Sequence, residues 1–150
     1  MPFIDQVLDT LSGKKYFSFL VGFSSYNQIQ IILEDQEKTT FNFPLGTYAY
    51  KVLPFGLCNA PTTFQRVFLA IFSDLTQHCV EVYMDDFTVY GEDFQHALDN
   101  LEKVLIGCQE TNLALSNEES RMMLTKGVVF GHHIFGTRIR VDPAKIEIIT

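Results

Sequence analysis

The sequence is poor in cysteine and in long apolar runs, and each shortage excludes a class of protein. Its three cysteines are an odd number without a CxxC pair, which argues against a disulfide framework or a zinc site and favours a reducing compartment. No apolar run approaches the roughly 18–20 residues that cross a bilayer, and the N-terminus lacks the basic and then apolar layout of a signal peptide. We therefore expect a cytoplasmic or nuclear protein, neither secreted nor inserted in a membrane.

Basic charge is also scarce, since 11 Lys and Arg residues stand against 18 Asp and Glu residues and give a net charge of −7. Free-standing nucleic-acid-binding domains usually carry a basic patch. Here the basic residues are scattered along the sequence, and Lys14 and Lys15 are the only adjacent pair. A nucleic-acid role would therefore need metal ions, or basic surface supplied by other segments.

The chain has 150 residues, of which 47% are hydrophobic, and this suits one domain with a core of its own. No internal repeat or low-complexity linker marks a domain boundary. Helix periodicity stops near the chain end, where a helix beginning at Asp142 and Pro143 has barely started. We therefore expect a single domain that is part of something longer.

The pattern of apolar residues predicts an α+β fold with a mainly antiparallel sheet. Asn59 is expected to cap a helix that starts near Pro61. Helices are expected over residues 3–11, 61–75 and 93–111, strands over 16–21, 79–84 and 87–90, a strand or a turn plus strand over 26–33, and hairpins over 39–53 and 127–141.

Asp85 and Asp86 are the most conspicuous candidates for chemistry, because they lie together at the bend between two apolar strands. One interpretation is a solvated β-turn, in which Asp is common. The other is a divalent-metal site, because Mg²⁺ prefers carboxylate oxygens. Two acids at a bend do not make a two-metal catalytic centre, so a third carboxylate would be expected from a neighbouring strand.

The surrounding sequence favours the second interpretation. YMDD (residues 83–86) resembles the YxDD signature of reverse transcriptases, and VLPFGLCNAPTTFQR (52–66) is similar to a long segment of gypsy-type retrotransposon enzymes. The resemblance covers essentially the whole chain in the expected order. Further similarity, especially to plant elements, lies in EDQEKTTF (34–41), YAYKVLP (48–54), FGH (130–132) and IRVDPAKI (139–146).

The resemblance implies a role for each residue at a matching position. It identifies the chain as a palm fragment truncated at both ends, with fingers, thumb, RNase H and integrase missing. Its partners would be an RNA or DNA primer–template and a dNTP, and its cofactor Mg²⁺ or Mn²⁺. The implied catalytic and metal-binding acids are Asp85 and Asp86, the implied nucleotide-binding residues are Tyr26, Phe55, Gly56 and Gln65, and the implied primer grip is Phe130, Gly131 and His132.

Plainer interpretations stay open for several of these residues. Phe55 could equally pack in the core, and Gln65 could be an ordinary exposed polar residue of a helix. Gly131 could form a strand bulge. Outside the resemblance, none of the three needs a function.

The sequence departs from the family at one position that matters for catalysis. Where the family has "FLDGYSGYNQI", this chain has FLVGFSSYNQI (residues 19–29), so that Val21 replaces the third metal-binding aspartate. Glu81 is four residues before Asp85, but related sequences carry an acid there beside an intact aspartate, so it is not an obvious substitute. Glu34 and Asp35 are expected to lie too far away. A loss of about 5 kcal/mol in transition-state stabilisation would lower the rate by nearly four powers of ten.

Two further departures agree with this one: Ser25 replaces a glycine, and Ser120 replaces a lysine expected near the departing pyrophosphate. Three hypotheses remain. The chain is an inactive reverse transcriptase fragment, or a non-catalytic remnant that acts at most as a protein-binding module. The third is an acidic α+β domain that binds Ca²⁺ or Mg²⁺ through Asp85 and Asp86, which leaves the proline- and glycine-bounded segment unexplained.

Overall fold

The computed structural model describes residues 4–76, 78–129, 131–135 and 138–141. Short 3-10 turns cover Ser25–Gln28 and Glu37–Thr39. The helices and strands, in chain order, are α1 (Ile4–Leu11), β1 (Tyr16–Val21), α2 (Leu33–Gln36), β2 (Phe41–Phe43), β3 (Gly46–Tyr48), α3 (Ala60–Ile71), β4 (Val80–Tyr83), β5 (Asp86–Gly91), α4 (Phe94–Glu110), β6 (Arg121–Leu124), β7 (Lys126–Val129), β8 (His132–Phe135) and β9 (Arg138–Val141).

A four-stranded antiparallel sheet in the order β4-β5-β1-β6 is the centre of the fold. Helices α3 and α4 cover one face, because their apolar stripes pack against the alternate residues of β4 and β5 that point the same way. The stacked rings of Phe68 and Phe87, 4.1 Å between centroids, tie α3 to β5. The other buried side chains of this layer include Leu20, Phe64, Phe72, Val80, Val82, Val89, Leu101 and Val104.

The opposite face of the central sheet is covered by α1 and by a second antiparallel sheet, β7-β8-β9. Phe17 and Tyr90 point to this side, against Val7 and Leu11 of α1 and Ile134 of β8. The second sheet approaches β1 closely at Gly127, where an added Cβ would collide with the ring of Phe19. The domain is therefore a sheet between two layers, which confirms the predicted α+β antiparallel class.

Most predicted elements are present, with differences at their ends. Residues 26–33 form a 3-10 turn and a single bridge between Gln30 and Val52 in place of a strand. The Gln28 side chain holds this turn by bonding to both backbone groups of Ala114. Asn59 occupies the position before α3, but its side chain forms no capping hydrogen bond.

Two predicted elements after residue 60 change. Helix α3 ends at Ile71, since Ser73 and Asp74 favour a turn. The expected strand over 127–135 is broken into β7 and β8, which makes the predicted hairpin a three-stranded sheet. Strand β6 was not predicted. The helix expected from Asp142 lies outside the described residues.

Candidate functional site

The hairpin between β4 and β5 presents two adjacent carboxylates. Met84 occupies its turn with φ 53°, a left-handed conformation that is uncommon for a residue with a side chain. Asp85 follows in the turn and Asp86 begins β5. The central register sets Asp86 opposite Val21, the last residue of β1, and the backbone N–H of Gly22 donates to the carbonyl of Asp85 at 3.4 Å. The end of β1 and the acidic turn are therefore in direct contact.

An open cavity of about 390 Å³ lies over these residues. It collects side chains from β1, from the segment after β3, from the β4–β5 hairpin and from the segment before β6. The residues that line it are Val21, Gly22, Ser24, Ser25, Phe55, Met84, Asp85, Asp86 and Glu119. The larger cavity of about 520 Å³ next to α2 contains neither aspartate.

The electrostatics of the two aspartates argue against a simple solvated turn. Oxygen Oδ1 of Asp85 is shielded from solvent and has no hydrogen-bond partner. Burial raises the pKa of Asp85, while a hydrogen bond from Tyr26 lowers it in part. Burial also raises the pKa of Asp86, and the charges of Asp85 and Glu119 raise it further. Asp86 itself is exposed to solvent, so it is the shielded, unpaired oxygen of Asp85 that favours a cation or a proton as the partner of this negative charge.

The residues predicted to bind the nucleotide are close to this acidic turn. Tyr26 is buried, and its ring meets Phe55 edge-on with 4.7 Å between centroids. Burial and the neighbouring Asp85 raise the pKa of the Tyr26 phenol. Phe55 is 66% exposed, so the core-packing alternative for this residue is wrong. Gly56 follows with φ 93°.

Gln65 is buried at 3% exposure, so the alternative of an ordinary exposed helix residue is also wrong. Its Nε2 donates to the carbonyl of Val82 at 3.4 Å, which joins α3 to the hairpin from below. A buried amide that bonds to the β4–β5 hairpin is a supporting contact that the sequence did not indicate.

Hydrogen bonds hold the backbone of Val21 at both its N–H and its carbonyl group. Its N–H donates to Oγ of Ser120 at 3.1 Å, and its carbonyl accepts from the N–H of Ser116 at 2.8 Å. Val21 and Ser120, two residues that differ from the pattern expected for the family, are thus joined by a hydrogen bond. Ser25, the third, is buried and its hydroxyl donates to the carbonyl of Gly22 at 2.9 Å.

Glu119 is the one acid at this site that sequence reasoning missed. It lines the cavity and its charge reaches Asp86. Only the tertiary path of the segment after α4 brings it there, so no local pattern could have found it. The acids weighed as substitutes lie elsewhere: burial raises the pKa of Glu81, which bonds to Thr10 of α1, and Asp35 pairs with Lys38 beside the other cavity.

The expected primer grip is described only in part. Phe130 lies outside the described residues. Gly131 has φ 72° and belongs to the turn between β7 and β8, not to a bulge. His132 is half-buried at the start of β8. A cavity of about 190 Å³ connects Val128 and Val129 of β7 with Val21 and Asp86, so this sheet adjoins the acidic site.

The donor set does not fit the pair of divalent ions that the resemblance implies. Asp85 and Asp86 are adjacent and the unpaired oxygen of Asp85 suits a cation, while Glu119 lines the cavity without completing a group of three metal ligands among the described residues. Val21 offers no lone pair at the third position. Over the ranges that the structure describes, no three His, Cys, Asp or Glu side chains are grouped so that they could hold a metal ion.

The fold of this chain is that of reverse transcriptases. It matches the structure of the foamy viral protease–reverse transcriptase in complex with double-stranded DNA. The TM-score is 0.81 and the identity 23%, over 95% of this chain and 26% of that one.

In the part of the chain that the structure describes, no helix is long and apolar enough to cross a membrane.

The chain belongs to the family "Reverse transcriptase (RNA-dependent DNA polymerase)", which matches residues 2–145. It is 36% identical over 149 residues to the Pol polyprotein of transposon 412, and 30% identical over 149 residues to that of transposon gypsy, both from Drosophila melanogaster. Each match covers 99% of this chain but only 12% and 14% of the relative. The chain is thus similar to a small part of gypsy-type polyproteins, as the sequence predicted.

Proposed function

We propose that residues 1–150 are the palm segment of a retrotransposon reverse transcriptase and that this segment no longer supports nucleotidyl transfer. One observation carries the proposal: Val21 stands opposite Asp86 at the end of β1, where the third carboxylate of the site would be needed. Membership of the family indicates nucleotidyl transfer as the reaction. The missing carboxylate is the reason why we expect this activity to be lost.

Valine changes the site in two physical respects. It gives no oxygen ligand to a divalent ion, and its methyl groups occupy the space that the hydration shell of such an ion would need. The remaining pair, Asp85 and Asp86, lacks the ligands for two ions that position an attacking hydroxyl and an α-phosphate together. We expect activity to be lower by about four powers of ten, which corresponds to about 5 kcal/mol in the barrier.

Roles for the other residues belong to the same proposal. Tyr26, Phe55 and Gly56 would border a dNTP, with Gln65 supporting the hairpin from beneath. Phe130, Gly131 and His132 would face the primer end. Supporting geometry is the shared cavity of Phe55 with both aspartates and the contact of Tyr26 with Phe55.

The same proposal assigns the partners. They are an RNA or DNA primer–template and a dNTP, held weakly or not at all by this segment alone. Other polyprotein segments would supply most of the grip.

A reciprocal substitution tests the proposal. In an active gypsy-type reverse transcriptase, the aspartate at the position of Val21 is changed to valine, and primer extension on an RNA template is measured with Mg²⁺ and with Mn²⁺. The expected result is a loss of about 10⁴-fold with both ions. A variant that keeps more than a tenth of the activity would show that valine at this position is tolerated.

A second candidate function is protein binding without catalysis. The β2–β3 hairpin supports it, because its large side chains are exposed: Phe41, Phe43, Leu45, Tyr48 and Tyr50. Large exposed apolar patches favour association. A chain of this kind would bind primer–template no better than a generic acidic protein at physiological salt.

The third hypothesis, an acidic domain that only binds a metal ion, makes a different prediction. Such a domain would bind Mg²⁺ without nucleic acid, and Asp85→Ala would abolish this binding.

A further inference from the structure

The β2–β3 hairpin is separate from the two larger sheets and open to solvent. Among the described residues, its two strands pair only with each other, and every residue over 41–50 is exposed. A two-stranded hairpin alone is marginally stable at best in water, and it gains stability when a third strand or an apolar contact covers it. A partner on one of its faces would therefore stabilise this hairpin.

One face of the hairpin is aromatic. Phe41 lies opposite Tyr48 in register, and strand alternation places Phe43 and Tyr50, each two residues further along, on the same side. The ring of Phe41 lies 6.0 Å from that of Tyr48 and 5.1 Å from that of Tyr50, and Phe43 meets Tyr48 edge-on at 6.5 Å. These four side chains form one cluster, called the aromatic face below.

The opposite face of the hairpin is polar and needs no cover. Its side chains Asn42 and Thr47 are joined by a hydrogen bond of 2.9 Å between Oγ1 of Thr47 and Oδ1 of Asn42. Both can also bond to water, because both are exposed. A contact that buries apolar surface would therefore use the aromatic face.

The charge of the hairpin favours a second copy of the same chain as the partner. Residues 39–50 contain no Asp, Glu, Lys or Arg, although the whole chain carries a net charge of −7. Two copies that met through charged surface would repel each other, whereas the aromatic face brings no like charges together. A strongly charged partner would find no ion pair on this face.

The exposed area limits how tightly two copies could associate. The four rings of the aromatic face are 41–59% exposed. Since an aromatic side chain offers about 150–250 Å², each copy contributes roughly 400 Å² and a pair would bury about 800 Å². Stable complexes bury about 1,200 Å² or more, and transient ones less. The area therefore predicts a transient dimer.

We propose that two copies of this chain associate through their aromatic faces, ring against ring, in a dimer with a twofold axis. Such a contact uses the same surface on both copies and closes at two. The proposal goes beyond the proposed function and does not depend on it, because none of the four rings lines the cavity over Asp85 and Asp86.

The test is sedimentation velocity of the whole 150-residue chain. Over about 5 to 500 µM the boundary should move reversibly from monomer to dimer, with a Kd on the order of 100 µM. Raising NaCl from about 0.1 to about 0.5 M should leave the Kd unchanged or lower it about twofold, because salt screens the repulsion between the two acidic chains and does not weaken apolar contacts.

Phe43 and Phe23 form a matched pair for substitution. Their exposures are 59% and 60%, but only Phe43 belongs to the aromatic face. Phe43→Thr should raise the Kd about tenfold or more, since the ring is lost from both copies of the contact. Phe23→Thr should change the Kd by less than about twofold.

Two further variants separate the ring from the fold of the hairpin. Threonine and tyrosine both suit a β-strand, so Phe43→Tyr, which keeps a ring, should associate within about threefold of the unmodified chain. Thr47→Val changes the polar face at nearly constant shape and should leave the Kd unaltered. Circular dichroism melting checks that each variant is folded.

Several results would overturn the proposal. A chain that stays monomeric at about 500 µM, five times the expected Kd, does not use this face for itself, and another partner or none covers it. Equal losses in Phe43→Thr and Phe23→Thr, or in Thr47→Val, would place the contact elsewhere or on the strand edges. Association that salt weakens would be ionic, and species that grow beyond a dimer would show an open-ended contact. Self-association involves no catalysis, so it can fail while the loss of activity at Val21 stands, and the reverse.

Discussion

Val21 and Asp86 are register partners on the antiparallel strands β1 and β5. Directly opposed residues of such a pair have Cβ atoms about 4.5–5.5 Å apart and point to the same face. An aspartate at position 21 would therefore set its carboxylate beside that of Asp86. The contact explains why the residue at the end of β1 bears on an acid pair that lies 64 and 65 positions further along the chain.

Val21→Asp should make the stability of the domain depend on magnesium. Without a cation, a third carboxylate beside Asp85 and Asp86 adds like-charge repulsion, and we expect the free energy of unfolding to fall by about 1–2 kcal/mol at pH 7. If the ion binds with a Kd one-tenth of its concentration, it should restore about 1.4 kcal/mol. Both effects are measured by urea unfolding with and without MgCl₂. A concentration of about 10 mM is on the order of ten times the Kd assumed above.

Val21→Asn is the matched control for this experiment, because it has the same shape as Asp without the charge. It should show no magnesium response, and neither should the unmodified chain. An equal magnesium effect in all three proteins would mean that the ion acts elsewhere on this acidic chain.

Asp86→Asn should stabilise the protein at neutral pH. The folded pKa values of Asp85 and Asp86 are raised above the ordinary value of 3.8, chiefly by burial. The folded state then holds protons that the unfolded state has released. The free energy of unfolding therefore falls as the pH rises from about 3.8 through the raised pKa values. The contribution of Asp86 to this fall is small, because its side chain is exposed and solvent screens its charge. Removing one of these acids should flatten that fall.

Urea unfolding at pH 4, 5, 6 and 7 checks this prediction, with Asp9→Asn on the exposed side of α1 as the control. The buffer pH values are chosen to bracket the expected window, from about 3.8 upward. A steeper pH dependence in Asp86→Asn than in the unmodified chain would contradict the assigned direction.

Ser120→Ala should destabilise the end of β1. The hydroxyl of Ser120 accepts the hydrogen bond from the N–H of Val21, and alanine leaves that N–H without its partner. The cost expected for a partly buried unpaired donor is about 1–3 kcal/mol. Thermal unfolding measures it, with Ser12→Ala after α1, where the serine is exposed, as the control. Equal melting temperatures for the two variants would show that the hydrogen bond between Val21 and Ser120 does not stabilise the protein.

Gly127→Ala should cost about 1–3 kcal/mol, because the added methyl group would meet the ring of Phe19 and force it to move. In a Phe19→Ala background the same change should cost less than about 0.5 kcal/mol, because the ring that the added methyl group would meet is gone, and residues in contact couple in this way. A double-mutant cycle by urea unfolding gives the coupling. Absence of coupling would mean that β7 does not lie on Phe19, and the position of the second sheet would need revision.

The sequence predicted those features of the fold and site that depend on local pattern. Alternating apolar residues located β4 and β5, and the two aspartates between them located the turn. The family resemblance implies that Val21 stands at the third acid position, and the register sets this residue opposite Asp86.

The features that the sequence missed all depend on long-range contacts. Gln28 turns residues 25–28 into a 3-10 turn by bonding to Ala114, which is 86 positions away. Glu119 reaches the cavity only because the segment after α4 returns beside β1. Only the register of β7, β8 and β9 sets Lys126, Arg138 and Arg140 on one face of their sheet, so scattered basic residues were all that the linear sequence could suggest.

The most direct test of the central claim is primer extension by a graft. Residues 1–150 replace the matching segment of an active gypsy-type reverse transcriptase, and the graft is assayed on an RNA template with Val21 and with Val21→Asp. The account predicts no extension above background with valine and a gain of about 10³-fold or more with aspartate, which corresponds to about 4 kcal/mol in the barrier. Extension by the unmodified graft would contradict it, because a palm with Val21 would then be catalytically competent.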